Sequence, residues 1–214
     1  ADFVAASCGQ SGYTDALGDA WAITRATSGR KAVVQSPVAA SARSVILYGT
    51  DDYIDVPAAA IPALGAADPA SVALAGRQHA NPTSFGRIFS IAAGASERLQ
   101  VTHYTTGTFT WNVFYDGTTT KQGAGPTLAI GSRYVRCLSI NGRSPVNDFL
   151  NSAQTTLDIS GVGALTGVTG ARIGAAASSA SLFQDGEFEA LALRDTTSTA
   201  TEHGQLTAYY RGGL

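Results

Sequence analysis

Apolar residues in this chain recur at every second position over short runs, and clusters of Gly, Pro, Asn, Asp, Ser and Thr separate the runs. A period of two marks half-buried β-strands, and its repetition along the chain predicts an all-β sandwich. Strands are predicted near residues 44–48, 52–56, 71–77, 85–93, 97–105, 109–115, 127–130, 133–140, 155–159, 171–175 and 186–194. Gly49-Thr50-Asp51-Asp52 joins the first two, because Gly tolerates positive φ and Asp can bond its own backbone. Asp116-Gly117 and Asn141-Gly142 predict hairpin turns. Pro57, Pro62 and Pro69 keep any helix over 58–70 to a single turn. Residues 144–170 are polar and Gly-rich and read as a long loop that is functional or covers a sheet edge. After a final strand, Thr199-x-x-Glu202 forms a capping box that opens a short helix carrying Leu206, Tyr209 and Tyr210. Residues 1–20 lack a clear period and read as an N-terminal arm or loosely docked first strand, with the ordered domain running over 21–214.

Several of these segments carry more than periodicity. Tyr48-Gly49-Thr50-Asp51-Asp52-Tyr53, the strand and turn Val135 to Arg143, and Arg172-Ile173-Gly174-Ala175 form one group. Gly186-x-Phe188, Asp195, the Thr199–Glu202 box and Tyr209-Tyr210 form the second. Together they resemble the laminin-G-like, concanavalin A-like jelly-roll modules of bacterial and phage proteins, over roughly the whole domain. The chain departs from that pattern at Ala190, where the last strand usually carries a glutamate, and at Tyr48-Gly49-Thr50, usually Phe-Asp-Gly. The resemblance implies an antiparallel jelly-roll β-sandwich with a short C-terminal helix. It also implies a non-enzymatic virion structural protein: a head-decoration, spike, fibre or tail component of a phage or phage-like particle. Other virion subunits and copies of itself would then be its partners, with host-surface polysaccharide as the adhesion target and the virion or extracellular surface as its place. The alternative is a secreted lectin-like module, for which a Cys8–Cys137 disulfide would be expected.

Composition narrows the classes. At 214 residues one large sandwich fits better than two domains. Only 14% of residues are charged, below the usual quarter or so, and the net charge is −2. That leaves no electrostatic footprint for nucleic acid and a bland surface suited to subunit contacts or uncharged glycans. No apolar run approaches the length of about twenty residues that spans a membrane. The two cysteines, Cys8 and Cys137, read first as separately packed thiols.

Candidate chemistry is sparse. Asp185-x-Glu187-x-Glu189 would place carboxylates about 7 Å apart on one strand face, a spacing compatible with glycoside hydrolysis. A solvated strand face explains the triplet better, so no catalytic residues are assigned. Asp51, Asp52 and Asp55 could offer oxygens to a calcium ion, the only cofactor in view, although turn formation already accounts for Asp51 and Asp52. His79, His103 and His203 lack metal-ligand spacing, and no Gly-x-Ser-x-Gly occurs. The aromatic group Tyr104, Phe109, Trp111, Phe114 and Tyr115 has two readings. On strand 109–115, Phe109, Trp111, Val113 and Tyr115 share one face and Thr110, Asn112 and Phe114 the other. The row of Trp111 reads first as inter-sheet core, since aromatics dominate sandwich interiors. Alternatively Trp111, Tyr104, Tyr115 and Asn112 present a carbohydrate platform.

Overall fold

A computed structural model describes residues 12–14, 20–25, 33–35, 44–49, 51–65, 68–80, 85–103, 110–141, 145–179 and 181–211, with backbone path alone at 12–14, 20–25, 33–35, 44–46, 48 and 209–211. Its strands are β1 (Gly12–Thr14), β2 (Ala20–Arg25), β3 (Val33–Gln35), β4 (Ser44–Tyr48), β5 (Asp52–Pro57), β6 (Pro69–Gln78), β7 (Gly86–Ala93) and β8 (Ser96–His103). They continue as β9 (Thr110–Tyr115), β10 (Thr120–Ala124), β11 (Arg133–Asn141), β12 (Val146–Leu150), β13 (Ala153–Leu157), β14 (Gly170–Ile173) and β15 (Asp185–Arg194). A 3₁₀ turn at Ala58–Ala60 follows Pro57, and helix α1 (Ala200–Arg211) closes the chain. Two antiparallel sheets form the sandwich: an eight-stranded sheet in the order β1-β2-β5-β14-β7-β8-β9-β10 and a seven-stranded sheet in the order β13-β12-β11-β6-β15-β4-β3. The fold is the expected jelly-roll sandwich.

Strand alternation sorts side chains between core and surface. Ile54 and Val56 of β5, Phe89 and Ile91 of β7, Leu99 and Val101 of β8 and Phe114 of β9 meet Val72, Leu74, Leu138, Ile140 and Val146 from the opposite sheet. Burying such side chains is worth about 1.5–3 kcal/mol each. One stretch of this interior is polar. Arg136 of β11 donates through Nε and Nη2 to the Asp148 carboxylate of β12, at 3.0 and 2.6 Å. Arg136 Nη2 also reaches across the sandwich to Asn112 Oδ1 of β9 at 2.9 Å, and Asn112 Nδ2 donates to Asp148 Oδ2 at 2.6 Å. All three residues are 1% exposed. Next to them Thr110 Oγ1 donates to the Pro126 carbonyl at 2.6 Å, and a side chain at Gly125 would collide with Thr110, Arg136 and Asp148.

Some sequence expectations are met here and others corrected. The Gly49–Asp52 turn joins β4 to β5 as expected, and because the two lie in different sheets it carries the chain from one layer to the other. Gly49 adopts φ +74°, and a Cβ there would meet Asp185 Cβ at 2.8 Å. Residues 127–130 form no strand; the partner of β9 is β10, at 120–124. The supposed long loop at 144–170 contains β12 and β13. β1 falls within residues 1–20, expected as an arm or a loosely docked first strand; residues 1–11, including Cys8, lie outside the described residues. Cys137 is a free, buried thiol whose pKa burial raises to about 11. The capping box is present as expected: Thr199 N and Oγ1 donate to Glu202 Oε2 at 2.8 and 3.1 Å, and Glu202 N donates back to Thr199 Oγ1 at 3.2 Å. Leu206 and His203 of α1 pack on the outer face of the seven-stranded sheet, against Ala73, Cys137 and Phe149. The side chains of Tyr209 and Tyr210 lie outside the described residues.

Removing one partner of a buried ion pair strands the other charge, so Asp148→Ala is expected to destabilise by about 3–5 kcal/mol in urea unfolding, whereas Arg136→Met with Asp148→Leu costs far less. His103 gives a second test. It is fully buried, and burial, with Arg136 nearby, lowers its pKa from 6.5 to about 4. The unfolded chain therefore takes up the proton first, and stability is complete above pH 6.5 and falls as pH drops to about 4. The loss is about 3 kcal/mol, read as the difference in pH profile between the wild type and His103→Gln.

Candidate functional site

The two outer faces of the sandwich differ in what covers them. Helix α1 packs over β11 and β12 on the seven-stranded sheet. Across the middle of the eight-stranded sheet lies the segment after β14. Ser90 Oγ of β7 donates to the Ala175 carbonyl at 3.0 Å and accepts from Ala177 N at 2.7 Å. Arg172 Nη1 donates to the Ala176 carbonyl at 3.0 Å, and Phe183 stacks on Tyr53 with ring centroids 6.3 Å apart. Beyond this strap, β8, β9 and β10 keep an open face.

Their pairing sets out that face. Gln100 of β8, Val113 of β9 and Gln122 of β10 form one cross-strand row; Thr102 and Trp111 form the next, with Arg87 of β7 beside Thr102. Adjacent strands lie about 4.8 Å apart and same-face residues about 7 Å along the strand, so the patch measures about 7 by 14 Å. These side chains and Phe85, which is 39% exposed, line a cleft of about 330 Å³. The side-chain amides of Gln100 and Gln122 make no hydrogen bond with other described residues, leaving donors and acceptors at the rim. Arg87 is held in place: Nε and Nη2 donate to Glu97 Oε2 at 3.2 and 3.1 Å, and Nη1 to Thr102 Oγ1 at 3.0 Å. Glu97 Oε1 in turn accepts from Ala177 N at 3.2 Å, which ties the strap to the cleft wall.

The row of Trp111 is therefore surface, not the inter-sheet core of the first expectation. Trp111, Val113 and Tyr115 are half-buried on the outside, while Thr110, Asn112 and Phe114 fill the interior. Asn112, grouped with the platform from sequence, points into the core and is bound to Arg136 and Asp148, so it cannot meet a ligand on the face. Tyr115 shares the face with Trp111, but its hydroxyl donates to the Gly117 carbonyl at 2.6 Å and its ring lies 5.4 Å from the Arg98 guanidinium. Tyr104 and Phe109 fall outside the described residues. Sequence reading missed Phe85, Arg87, Gln100, Thr102 and Gln122. The register of the β7–β8 hairpin, turning at Gly94-Ala95, was the one signal that could have placed Arg87 and Thr102 beside Trp111.

Asp51, Asp52 and Asp55 are not brought together. Asp51 and Asp52 are buried where the chain changes sheets, and Asp55, three positions on from Asp52, faces the other side of β5. There it pairs with Arg172 Nε at 2.8 Å, and Arg172 lies over the Tyr53 ring at 4.4 Å. Among the described residues no group of three or more His, Cys, Asp or Glu side chains is placed to hold a metal ion. The Asp185-x-Glu187-x-Glu189 triplet is likewise divided. Glu187 Oε1 and Asp185 Oδ1 flank His79 at 3.0 and 3.6 Å. Glu189 sits in a bulge of β15 against Arg133 at 2.9 Å, and its burial raises its pKa against the pull of Arg133.

Fold and site together define a concanavalin A-like jelly-roll sandwich with an open, aromatic-lined sheet face. Its neighbours among solved structures are mostly binding domains, some of them from glycosidases. Domain 4 of the GH43 extracellular arabinanase AbnA from Geobacillus stearothermophilus, solved with arabinotriose, superposes with a TM-score of 0.64 at 14% identity, covering 87% of each chain. The heptameric SAP-like pentraxin of Limulus polyphemus gives 0.57 at 15% identity, over 77% of this chain and 81% of that one. The CBM40 of Ruminococcus gnavus IT-sialidase, bound to α2,3-sialyllactose, gives 0.55 at 13% identity, over 65% and 83%. No protein-family model matches the chain, nor does any characterised protein by sequence. At these identities the likeness is one of fold.

The division of β9 predicts a contrast in stability. Phe114→Ala should cost about 3–5 kcal/mol in urea unfolding, and Trp111→Ala about 1 kcal/mol. Equal losses would place Trp111 in the core.

Proposed function

We propose that this chain is a non-enzymatic carbohydrate-binding module that takes an oligosaccharide on the open face of its eight-stranded sheet, in the cleft of Trp111 and Phe85. The observation that carries the reading is the pairing of these aromatic rings, in a single cleft, with the Gln100 and Gln122 amides, which no other described residue engages. Aromatic rings stack on the C–H faces of sugar rings, and amides and hydroxyls bond the sugar hydroxyls around them. The arabinotriose and sialyllactose complexes of the two neighbouring domains support the class of ligand. The separate basic partners of Glu187 and Glu189 favour binding over hydrolysis, since a hydrolase needs its two carboxyl groups directed at one glycosidic bond.

The finer reading is that the module works as a surface component of a phage or phage-like particle, adhering to host polysaccharide. It rests on the laminin-G-like motifs and on a chain in which only 14% of residues are charged, which suits contacts between subunits. A shallow site of this size binds weakly, at a Kd of about 0.1–1 mM, and display in many copies would raise the avidity by orders of magnitude. A free-standing secreted lectin-like module would bind the same ligand without the particle.

A glycan-array screen with calcium and with a chelator tests the proposal. Binding is expected in both conditions, and Trp111→Ala should weaken it by at least about tenfold while leaving the fold intact. Binding lost with the chelator, or untouched by Trp111→Ala, would place recognition elsewhere.

A further inference from the structure

From the charge balance of this cleft we infer that its ligand is an uncharged saccharide and that the Arg87–Glu97 pair sets this preference; the inference rests on the glycan-binding reading above. Among the described residues Arg87 is the one cation lining the cleft, and on its own it would recruit carboxylate or sulfate groups by bidentate pairing. The fold cancels it. Glu97 Oε2 takes Nε and Nη2, Thr102 Oγ1 takes Nη1, and the Arg87 and Glu97 side chains are only 10% and 8% exposed. Glu97 is itself fixed, because its other oxygen accepts from Ala177 N and its strand is paired on both sides. An anionic sugar entering here would lose hydration without gaining an uncompensated cation, because the Glu97 carboxylate lies buried against Arg87 behind the cleft wall.

A hydroxyl meets a different surface. Of the five guanidinium N–H groups three are used, so Arg87 keeps one on Nη1 and one on Nη2, suited to neutral acceptors. Gln100 and Gln122 supply donors and acceptors alike, as a sugar hydroxyl requires. The next cation on the same face, Arg98, lies two positions from Gln100 along β8, about 7 Å beyond the rim, and is turned onto the Tyr115 ring, 5.4 Å from its centroid. Arg172, on the far side of the strap, is paired with Asp55. The cleft thus offers ring stacking and hydrogen bonding with no net charge.

The test uses the full chain and matched probes: gluco-, galacto- and manno-tetraoses against the corresponding uronic-acid tetramers, by calorimetry at about 50 and about 500 mM NaCl. A neutral tetraose should bind with less than about a twofold change between the two salts, and its uronate at least about tenfold more weakly. Glu97→Gln should narrow that gap by about tenfold and make uronate binding salt-sensitive, because Arg87 is no longer neutralised. Should Glu97→Gln not fold, the ratio and the salt dependence in the wild type decide alone. A wild-type preference for uronate, steeply weakened by salt and abolished in Trp111→Ala, would overturn this inference and leave the glycan-binding reading standing. A folded Glu97→Gln with an unchanged gap would overturn the role of the pair. Binding of neither class would overturn the glycan-binding reading, and this inference with it.

Discussion

The arrangement of the sandwich turns on the buried contact among Arg136, Asp148 and Asn112. Two of these residues belong to neighbouring strands of one sheet and the third reaches from the other. A charge in the interior is tolerable only when it is paired and hydrogen-bonded, so this contact constrains both sheets at once. It holds Asn112 inward. Because strand side chains alternate, an inward Asn112 fixes Phe114 as core and puts Trp111, Val113 and Tyr115 outside. A slip of one residue in β9 would bury Trp111 and leave Arg136 without its amide partner. The polar clamp and the open aromatic face are thus two consequences of one register.

The same economy governs charge. The chain has few ionisable groups, and most of those described are neutralised where they stand: Arg87 by Glu97, Arg172 by Asp55, Arg133 by Glu189, Arg194 by Glu202. The more exposed of these pairs, Arg172–Asp55 and Arg194–Glu202, add little stability, typically below about 1 kcal/mol. Their effect lies in what they leave on the surface, which is rings, amides and hydroxyls. Helix α1 packs over β11 and β12 of one sheet and the strap at 174–179 lies across the middle of the other, where a second cleft of about 330 Å³ runs along Asp55, Pro57 and Arg172. The β8–β10 patch is the cleft that carries the aromatic ring, and our proposal assigns it a neutral, hydroxyl-rich partner.

Much of the fold was legible in sequence because strands with one buried face alternate. β9 does so along its whole length, β7 and β11 are buried on both faces and read as apolar runs between turn signals, and the Thr199–Glu202 box announced α1. What escaped did so for physical reasons. β10 is an edge strand exposed along almost its whole length, so TKQGA has no apolar row to detect. β12 carries Asp148 at a core position, which reads as loop unless Arg136 is known to lie beside it. At the site, Trp111 could be placed on one face of β9, but which face was core depended on partners in the other sheet. Arg87 and Glu97 became neighbours only through hairpin pairing. Asp51, Asp52 and Asp55 looked like a ligand set by closeness in sequence, but alternation along β5 turns Asp55 to the face opposite Asp52.

The central claim, that the outward row of β9 is the ligand-facing surface, is tested most directly by a side-chain amide and indole NMR titration with the best-binding neutral tetraose. The account predicts that the Trp111 indole N–H and the Gln100 and Gln122 amides shift together, while the Asn112 amide, locked between Arg136 and Asp148, stays still. Shifts confined to groups around Arg172 and Asp55, with Trp111 unmoved, would contradict it.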